Sequence, residues 1–202
     1  MVALIPVARQ PEPPSFHERV RAPGLDWIHR HGLDPNQAPP PRTELKATWR
    51  ESLDELHAAY GGVCAYLAIF IERVAGATSV DHFQPMASSP LKLAYEWSNY
   101  RLCSSGLNGR KGLKRILDPF HLRPDTFRLE LVSGRIFPSP DLPPKLLQDA
   151  QATLSALRLD DPYCRELRAR RVDEYIRREV SADYLRRTAP FVYFELQRQG
   201  LL

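Results

Sequence analysis

The sequence predicts an α+β fold, and three observations support this prediction. An apolar stripe over residues 43–60 has the spacing of a helix. Two short segments follow it, residues 63–71 and 79–83, and both have the composition of strands. From residue 144 onward the chain returns to helical patterning. At 202 residues, the chain is long enough for one domain with a core.

The composition is that of an average soluble globular protein that is mildly basic. Hydrophobic residues make up 43% of the chain, and the net charge of +4 permits a polyanionic partner without demanding one. The longest apolar stretch, residues 63–71, is about half as long as a membrane-spanning helix. No secretory signal is visible at the N-terminus, and three scattered cysteines do not form a disulfide framework. We therefore expect a cytoplasmic protein with no membrane partner.

Residues 1–42 form a proline-rich N-terminal arm. This segment holds nine of the nineteen prolines, which favour extended or turn-like backbone, and residues 24–31 are compatible with one or two helical turns. Two interpretations stay open: an arm packed on the domain surface, or an arm that binds a partner.

Residues 43–140 form the predicted central domain. A helix is predicted over residues 43–60, with Thr43 as its N-cap and two glycines, Gly61 and Gly62, at its end. Residues 63–71 are predicted as a buried strand, 76–78 as a turn and 79–83 as a second strand. After a loop, a helix is predicted from residue 97 or 99 to about 107.

The rest of the chain predicts a second small hairpin and a helical C-terminal region, residues 141–202. The hairpin spans residues 127–132 and 135–137. Helices are predicted over residues 144–157, over 165–187 as one or two helices, and over 191–202. Acidic residues alternate with the arginines of residues 158–187, which predicts a solvated helical face with i,i+4 ion pairs.

A set of polar residues in the central domain carries the functional prediction. Asp81 and His82 are adjacent, Asn99 follows His82 by seventeen residues, and Asn108 follows Asn99 by nine. His82, with an ordinary pKa near 6.5, is able to accept a proton at neutral pH. Asp81 and Asn108 offer oxygen ligands suited to Mg²⁺ or Mn²⁺. Neighbouring residues on a strand point to opposite faces. Asp81 and His82 can therefore belong to one site only if the strand ends or twists there, so we predict a local irregularity at this point.

These residues, on a predicted strand–loop–helix, resemble the HNH nucleases with their ββα-metal core. The resemblance implies a metal ligand at Asp81, a general base at His82, an orienting residue at Asn99 and a second metal ligand at Asn108. Residues 95–99, 117–120 and 133–134 are also similar to the HNH proteins of Septu-type and retron-type antiphage systems.

This resemblance implies a metal-dependent endonuclease that hydrolyses nucleic acid, and DNA is the expected substrate, with RNA and tRNA left open. It further implies an antiviral defence effector that works with an ATPase partner. The alternative is a catalytically inactive interaction subunit of the same fold, which binds nucleic acid or a partner protein.

The chain departs from many of these relatives, which carry two Cys-x-x-Cys pairs for structural zinc. Cys64 and Cys103 are followed at the matching positions by Leu67 and Gly106. Two thiolates do not complete a tetrahedral zinc site, so we predict no zinc and two small buried apolar cysteines.

A basic window is the predicted phosphate-binding surface. No acidic residue occurs between positions 99 and 117, and this window holds five cations: Arg101, Arg110, Lys111, Lys114 and Arg115. Such contacts recognise the backbone whatever the base sequence.

Overall fold

The computed structural model describes residues 7–74, 78–123 and 125–202. These residues form seven α-helices and two small antiparallel sheets of two strands each, which confirms the α+β class. The predicted turn at residues 76–78 lies outside the described residues except for Thr78, which begins the first strand. None of the helices in the described ranges combines the length and apolar character needed to cross a membrane.

The N-terminal arm contributes side chains to the interior. A short π-helix, His17–Arg21, leads into α1, Ala22–Arg30. Phe16, Val20 and Ile28 are buried in one cluster with residues of the central sheet. Of the two open interpretations, the structure therefore supports a packed arm.

The helix predicted over residues 43–60 is shorter than expected, so that prediction is wrong for its first part. Residues 43–47 are irregular, Thr48–Ser52 is a 3₁₀ helix, and α2 spans Leu53–Ala59. The Thr43 hydroxyl donates to the Pro40 carbonyl at 2.7 Å and does not cap a helix. The buried Thr48 hydroxyl donates to the Val20 carbonyl at 3.1 Å, so a tertiary contact fixes the backbone here.

Residues 63–71 form a tight buried loop, and their prediction as a strand is wrong. A single antiparallel bridge joins Val63 to Phe70, and Ala68 has a positive φ of 58°. The Cys64 amide donates to the Ile69 carbonyl at 3.0 Å, which closes the loop. A short apolar run has no period that distinguishes a buried strand from a buried turn.

The central sheet pairs β1, Thr78–His82, with β2, Tyr100–Ser104, and α3, Ser105–Lys111, follows directly. The register places Asp81 opposite Arg101 and His82 opposite Tyr100. The prediction that a helix begins at residue 97 or 99 is therefore wrong. A 3₁₀ turn, Trp97–Asn99, occupies this position, and the strand β2 follows it. The Ser104 side chain caps α3 by accepting from the Leu107 amide at 3.3 Å.

The two faces of this sheet contact two different hydrophobic clusters. Val80, Tyr100 and Leu102 belong to the N-terminal cluster, whereas Cys103 belongs to the cluster built with the C-terminal helices. Because both faces are buried, β2 does not show the simple apolar–polar alternation of a half-exposed strand.

The C-terminal half follows its sequence pattern closely. The second hairpin is formed by β3, Phe127–Leu129, and β4, Ile136–Pro138. Four helices follow: α4, Pro144–Leu157; α5, Pro162–Ile176; α6, Ala182–Thr188; and α7, Pro190–Arg198. Surface ion pairs such as Asp173–Arg177 confirm the predicted pairing of charges. All three cysteines are buried free thiols, as predicted for Cys64 and Cys103.

Candidate functional site

Asp81 and His82 lie at the end of β1 and face opposite sides of the sheet. The register with β2 runs through all five residues of β1 without a bulge, so the predicted irregularity is absent from this ladder. Asp81 contacts Lys111 of α3, whereas His82 packs against Trp49 and Tyr100. The end of the strand therefore presents two different chemical environments, one on each face.

The His82 ring is held in one orientation by its surroundings. The rings of Trp49 and Tyr100 pack nearly perpendicular to it, with ring centroids 5.0 and 5.1 Å away, and the residue is 7% exposed. Nε2 lies 3.0 Å from the Ala94 carbonyl oxygen. Because a carbonyl only accepts, Nε2 carries the proton, and the lone pair of the neutral ring is on Nδ1.

The protonation state of His82 follows from its burial. Burial lowers the pKa of His82 to about 4, although the Ala94 hydrogen bond and the Asp81 charge act in the opposite direction. The Lys111 charge lowers this pKa further. At neutral pH the ring is therefore uncharged and has an acceptor nitrogen, as a general base requires.

Asn99 fixes the loop that follows β1. Its side-chain oxygen accepts from the Gln84 amide at 2.8 Å, and its Nδ2 donates to the Gln84 and Leu93 carbonyls at 3.2 and 2.9 Å. The next residue after Leu93 is Ala94, whose carbonyl holds His82. Asn99 thus positions the backbone that orients His82.

Replacing Asn99 by alanine should lower the free energy of unfolding by about 2 kcal/mol, because buried loop groups lose their partners. Urea unfolding monitored by circular dichroism measures this change. Asn36, an exposed asparagine in a turn, provides the control, and its alanine variant should change stability by less than about 0.5 kcal/mol. Equal effects of the two substitutions would contradict the role of Asn99 as a clamp.

Asp81 is part of a buried polar cluster. The Lys111 ammonium is 2.9 Å from Asp81 Oδ1, and the two side chains are 1% and 3% exposed. The Tyr66 hydroxyl donates a hydrogen bond to Asp81 Oδ2. Lys111 also donates to the His82 carbonyl at 2.8 Å. Both carboxylate oxygens therefore have a partner within the protein.

Asn108 joins α3 to β1. Its Nδ2 donates to the Ser79 hydroxyl and to the Val80 carbonyl, both at 3.2 Å. Asn108 and Lys111 lie three residues apart on α3, so one face of this helix contacts the strand that carries Asp81.

The Asp81 and Asn108 side chains have the chemistry of hard-cation ligands, but their arrangement does not form a cation site. The carboxylate already neutralises Lys111, and the Asn108 amide is directed at the strand through its nitrogen. In the described ranges, no three side chains among His, Cys, Asp and Glu are grouped to hold a metal ion. The two residues do not fit a divalent cation while Lys111 remains in place.

Arg101, predicted as a phosphate contact, lies in the interior. It is 2% exposed and makes a two-pronged ion pair with Asp118 at 3.0 and 2.8 Å. Its guanidinium lies over the rings of Phe83 and Phe120, at 4.9 and 3.5 Å from their centroids. The guanidinium of Arg101 is therefore bound by groups of the protein interior and is not exposed to a phosphate in this structure.

The other four cations of the basic window differ in their environments. Lys111 is buried against Asp81, and Arg110 pairs with Asp161 at 2.8 Å. Lys114 and Arg115 are exposed, and the Lys114 ammonium is 2.7 Å from the Arg110 carbonyl. The exposed cationic surface of the window is therefore concentrated at Lys114 and Arg115.

The sequence pattern indicates no role in the site for two of its side chains. It predicts Tyr66 within a buried strand and Trp49 within the apolar stripe of a helix. Tyr66 does carry a signal, because a buried tyrosine hydroxyl needs a hydrogen-bond partner. Nothing in the local pattern indicates that Trp49 contacts His82, since the two residues are far apart in the chain.

Comparison of the chain with models of known protein families gives no match, and neither does comparison with curated proteins. We therefore infer the function from the residues of this chain and their arrangement.

Proposed function

We propose that this chain is an endonuclease of the HNH type, with His82 as its general base. The observation that carries the proposal is the His82 ring, fixed at the end of β1 with its lone pair on Nδ1. The order β1, β2, α3 supports the same proposal, because the motif residues lie at the strand end, before β2 and on the helix. The ββα-metal core is part of this proposal.

His82 would take a proton from the water that attacks phosphorus. The proton moves to Nδ1, and the Ala94 carbonyl and the nearby Asp81 carboxylate favour the cationic ring that results. Attack on phosphorus forms the new P–O bond and breaks the bond to the leaving oxygen, which keeps the electron pair and takes a proton from solvent. Asp81 is paired with Lys111 in this arrangement. The only catalytic step proposed from this geometry is therefore proton transfer to His82.

Nucleic acid is the proposed substrate, and DNA is the first candidate. The exposed side chains of Lys114 and Arg115 follow α3 in the chain and supply positive charge for backbone phosphates. The resemblance to antiphage HNH proteins supports a cytoplasmic defence role with an ATPase partner. The burial of His82 favours an activity that is gated, because substrate must first gain access to the ring.

Cleavage of supercoiled plasmid in Mg²⁺ or Mn²⁺ tests the proposal, with EDTA as the metal control. The His82→Ala variant should lose activity by about 100-fold or more, the range expected for removal of a general base. His29 is exposed on α1, so His29→Ala provides a matched control that keeps wild-type cleavage. Undiminished cleavage by His82→Ala would contradict the assignment of the base.

The second candidate is an interaction subunit without activity, and the Asp81–Lys111 ion pair favours it. This pair occupies the carboxylate that the HNH resemblance assigns to a metal. Absence of cleavage with every metal, both alone and together with an ATPase partner, would support the interaction subunit and reject the nuclease.

A further inference from the structure

We propose that the Lys111 ammonium is an internal cation that blocks Asp81 in the resting protein, and that a divalent cation binds there only by displacing it. This inference rests on the proposed nuclease function and concerns the regulation of the same site. It arises from the conflict between the metal role implied for Asp81 and the partner that Asp81 has in the structure.

The surroundings of the ammonium resemble those of a bound cation. Nζ lies 2.9 Å from Asp81 Oδ1 and 2.8 Å from the His82 carbonyl oxygen. The same nitrogen lies 5.8 Å from the centre of the Phe83 ring, within the range of a cation–π contact. Carboxylate and carbonyl oxygens are also the ligands preferred by Mg²⁺ and Mn²⁺, so the two kinds of cation compete for the same atoms.

Simultaneous occupation by both cations is unfavourable. With side-chain exposures of 1% and 3%, the Lys111–Asp81 pair is shielded from water, and the repulsion between neighbouring positive charges is weakly screened. The single negative charge of Asp81 balances the ammonium of Lys111. It does not also balance the two positive charges of a divalent cation. The divalent cation therefore binds with a penalty for as long as Lys111 remains in place.

Lys111 lies next to an exposed segment of the chain. It is the last residue of α3, and Gly112 after it has a positive φ of 49°. Residues 112–115 are exposed, and in the proposed displacement the flexible lysine stem moves the ammonium out to this exposed side. On that side it would join the surface proposed to contact phosphate, which links binding of the cation to binding of the substrate.

Calorimetric titration of the full chain with Mn²⁺ tests the blocking role. Lys111→Met should bind Mn²⁺ at least about tenfold more tightly than wild type, because the competing charge is removed. Lys145→Met removes the same charge from an exposed Lys145–Asp149 pair and should leave the affinity unchanged. Adding Asp81→Asn to Lys111→Met should abolish the gain. Equal or weaker binding by Lys111→Met would overturn the proposal.

The thermal stability of the same proteins gives a second readout. Lys111→Met leaves Asp81 buried without its counter-charge, so the variant should have a lower Tm than wild type in EDTA. Saturating Mn²⁺ should then raise its Tm by about 3–5 °C more than it raises the wild-type Tm, as a tenfold gain in affinity implies. An identical Mn²⁺-dependent rise in both proteins would count against the blocking role.

A measurement on the wild-type protein covers the case in which Lys111→Met does not fold. The chain has five lysines, so their ammonium signals are few enough to assign by NMR: Lys46, Lys92, Lys111, Lys114 and Lys145. The buried Lys111 ammonium should give a protected signal in EDTA and lose its protection on addition of Mg²⁺. A protected signal that persists at Mg²⁺ concentrations supporting plasmid cleavage would overturn the displacement while leaving the nuclease intact. If no variant binds Mn²⁺ and no protein cleaves plasmid, both proposals fall.

Discussion

Replacing Arg101 by methionine should lower the free energy of unfolding by about 3–5 kcal/mol, the range for breaking a buried ion pair by removing one partner. Methionine fills much of the space between Phe83 and Phe120, so the loss comes mainly from Asp118 and from carbonyls left without a donor. Arg101 donates to two such carbonyls, those of Ser98 and Tyr100, both at 2.9 Å. Urea unfolding at neutral pH measures the change.

Arg115 provides the matched control for this experiment, because it belongs to the same basic window but is exposed. Arg115→Met should change stability by less than about 0.5 kcal/mol. It should instead weaken binding of the protein to DNA in a salt-dependent manner. If Arg101→Met kept wild-type stability and lost DNA binding, Arg101 would be a phosphate contact and its structural role would be rejected.

Acidification should destabilise the protein through His82. Its folded-state pKa of about 4 lies below the value of 6.5 expected in the unfolded chain, so between these values the unfolded state binds the additional proton. The contribution of His82 is fully present above pH 6.5 and is lost as the pH falls toward 4. At about 1.4 kcal/mol for each pKa unit, the loss is about 3 kcal/mol.

Unfolding free energies of wild type and His82→Gln, measured from pH 7.5 to 4, isolate this contribution. Carboxylates whose pKa is lowered from 3.8, such as those of Asp160 and Asp161, lose their stabilising contribution mainly below this interval and act in both proteins. The difference between the two curves should therefore shrink by about 3 kcal/mol across this interval. His29→Gln should follow the wild-type curve, and parallel curves for wild type and His82→Gln would contradict the role of burial.

Two elements of the C-terminal half were predictable from their local pattern, whereas the equally regular stripe over residues 43–60 is irregular in its first part. Helix α4 has the bounds that its apolar spacing predicts, residues 144–157, and the second hairpin lies where its turn residues place it. Residues 63–71 and 100–104 were not predictable, because both are mostly buried and show no period. Whether such a run becomes a strand or a loop depends on the segments that pack around it.

The sequence by itself determined the order of the polar residues, Asp81, His82, Asn99 and Asn108, and the chemistry that each of them is able to perform. Only the tertiary structure decided how Asp81 and the cations of the basic window are used. Arg101 and Lys111 are residue types found on phosphate-binding surfaces. In the structure, however, Arg101 is paired with Asp118 and Lys111 with Asp81, carboxylates that are distant in the chain. A cation is either solvated or buried according to whether folding brings it such a partner. The local sequence does not show which residues distant in the chain will become its neighbours.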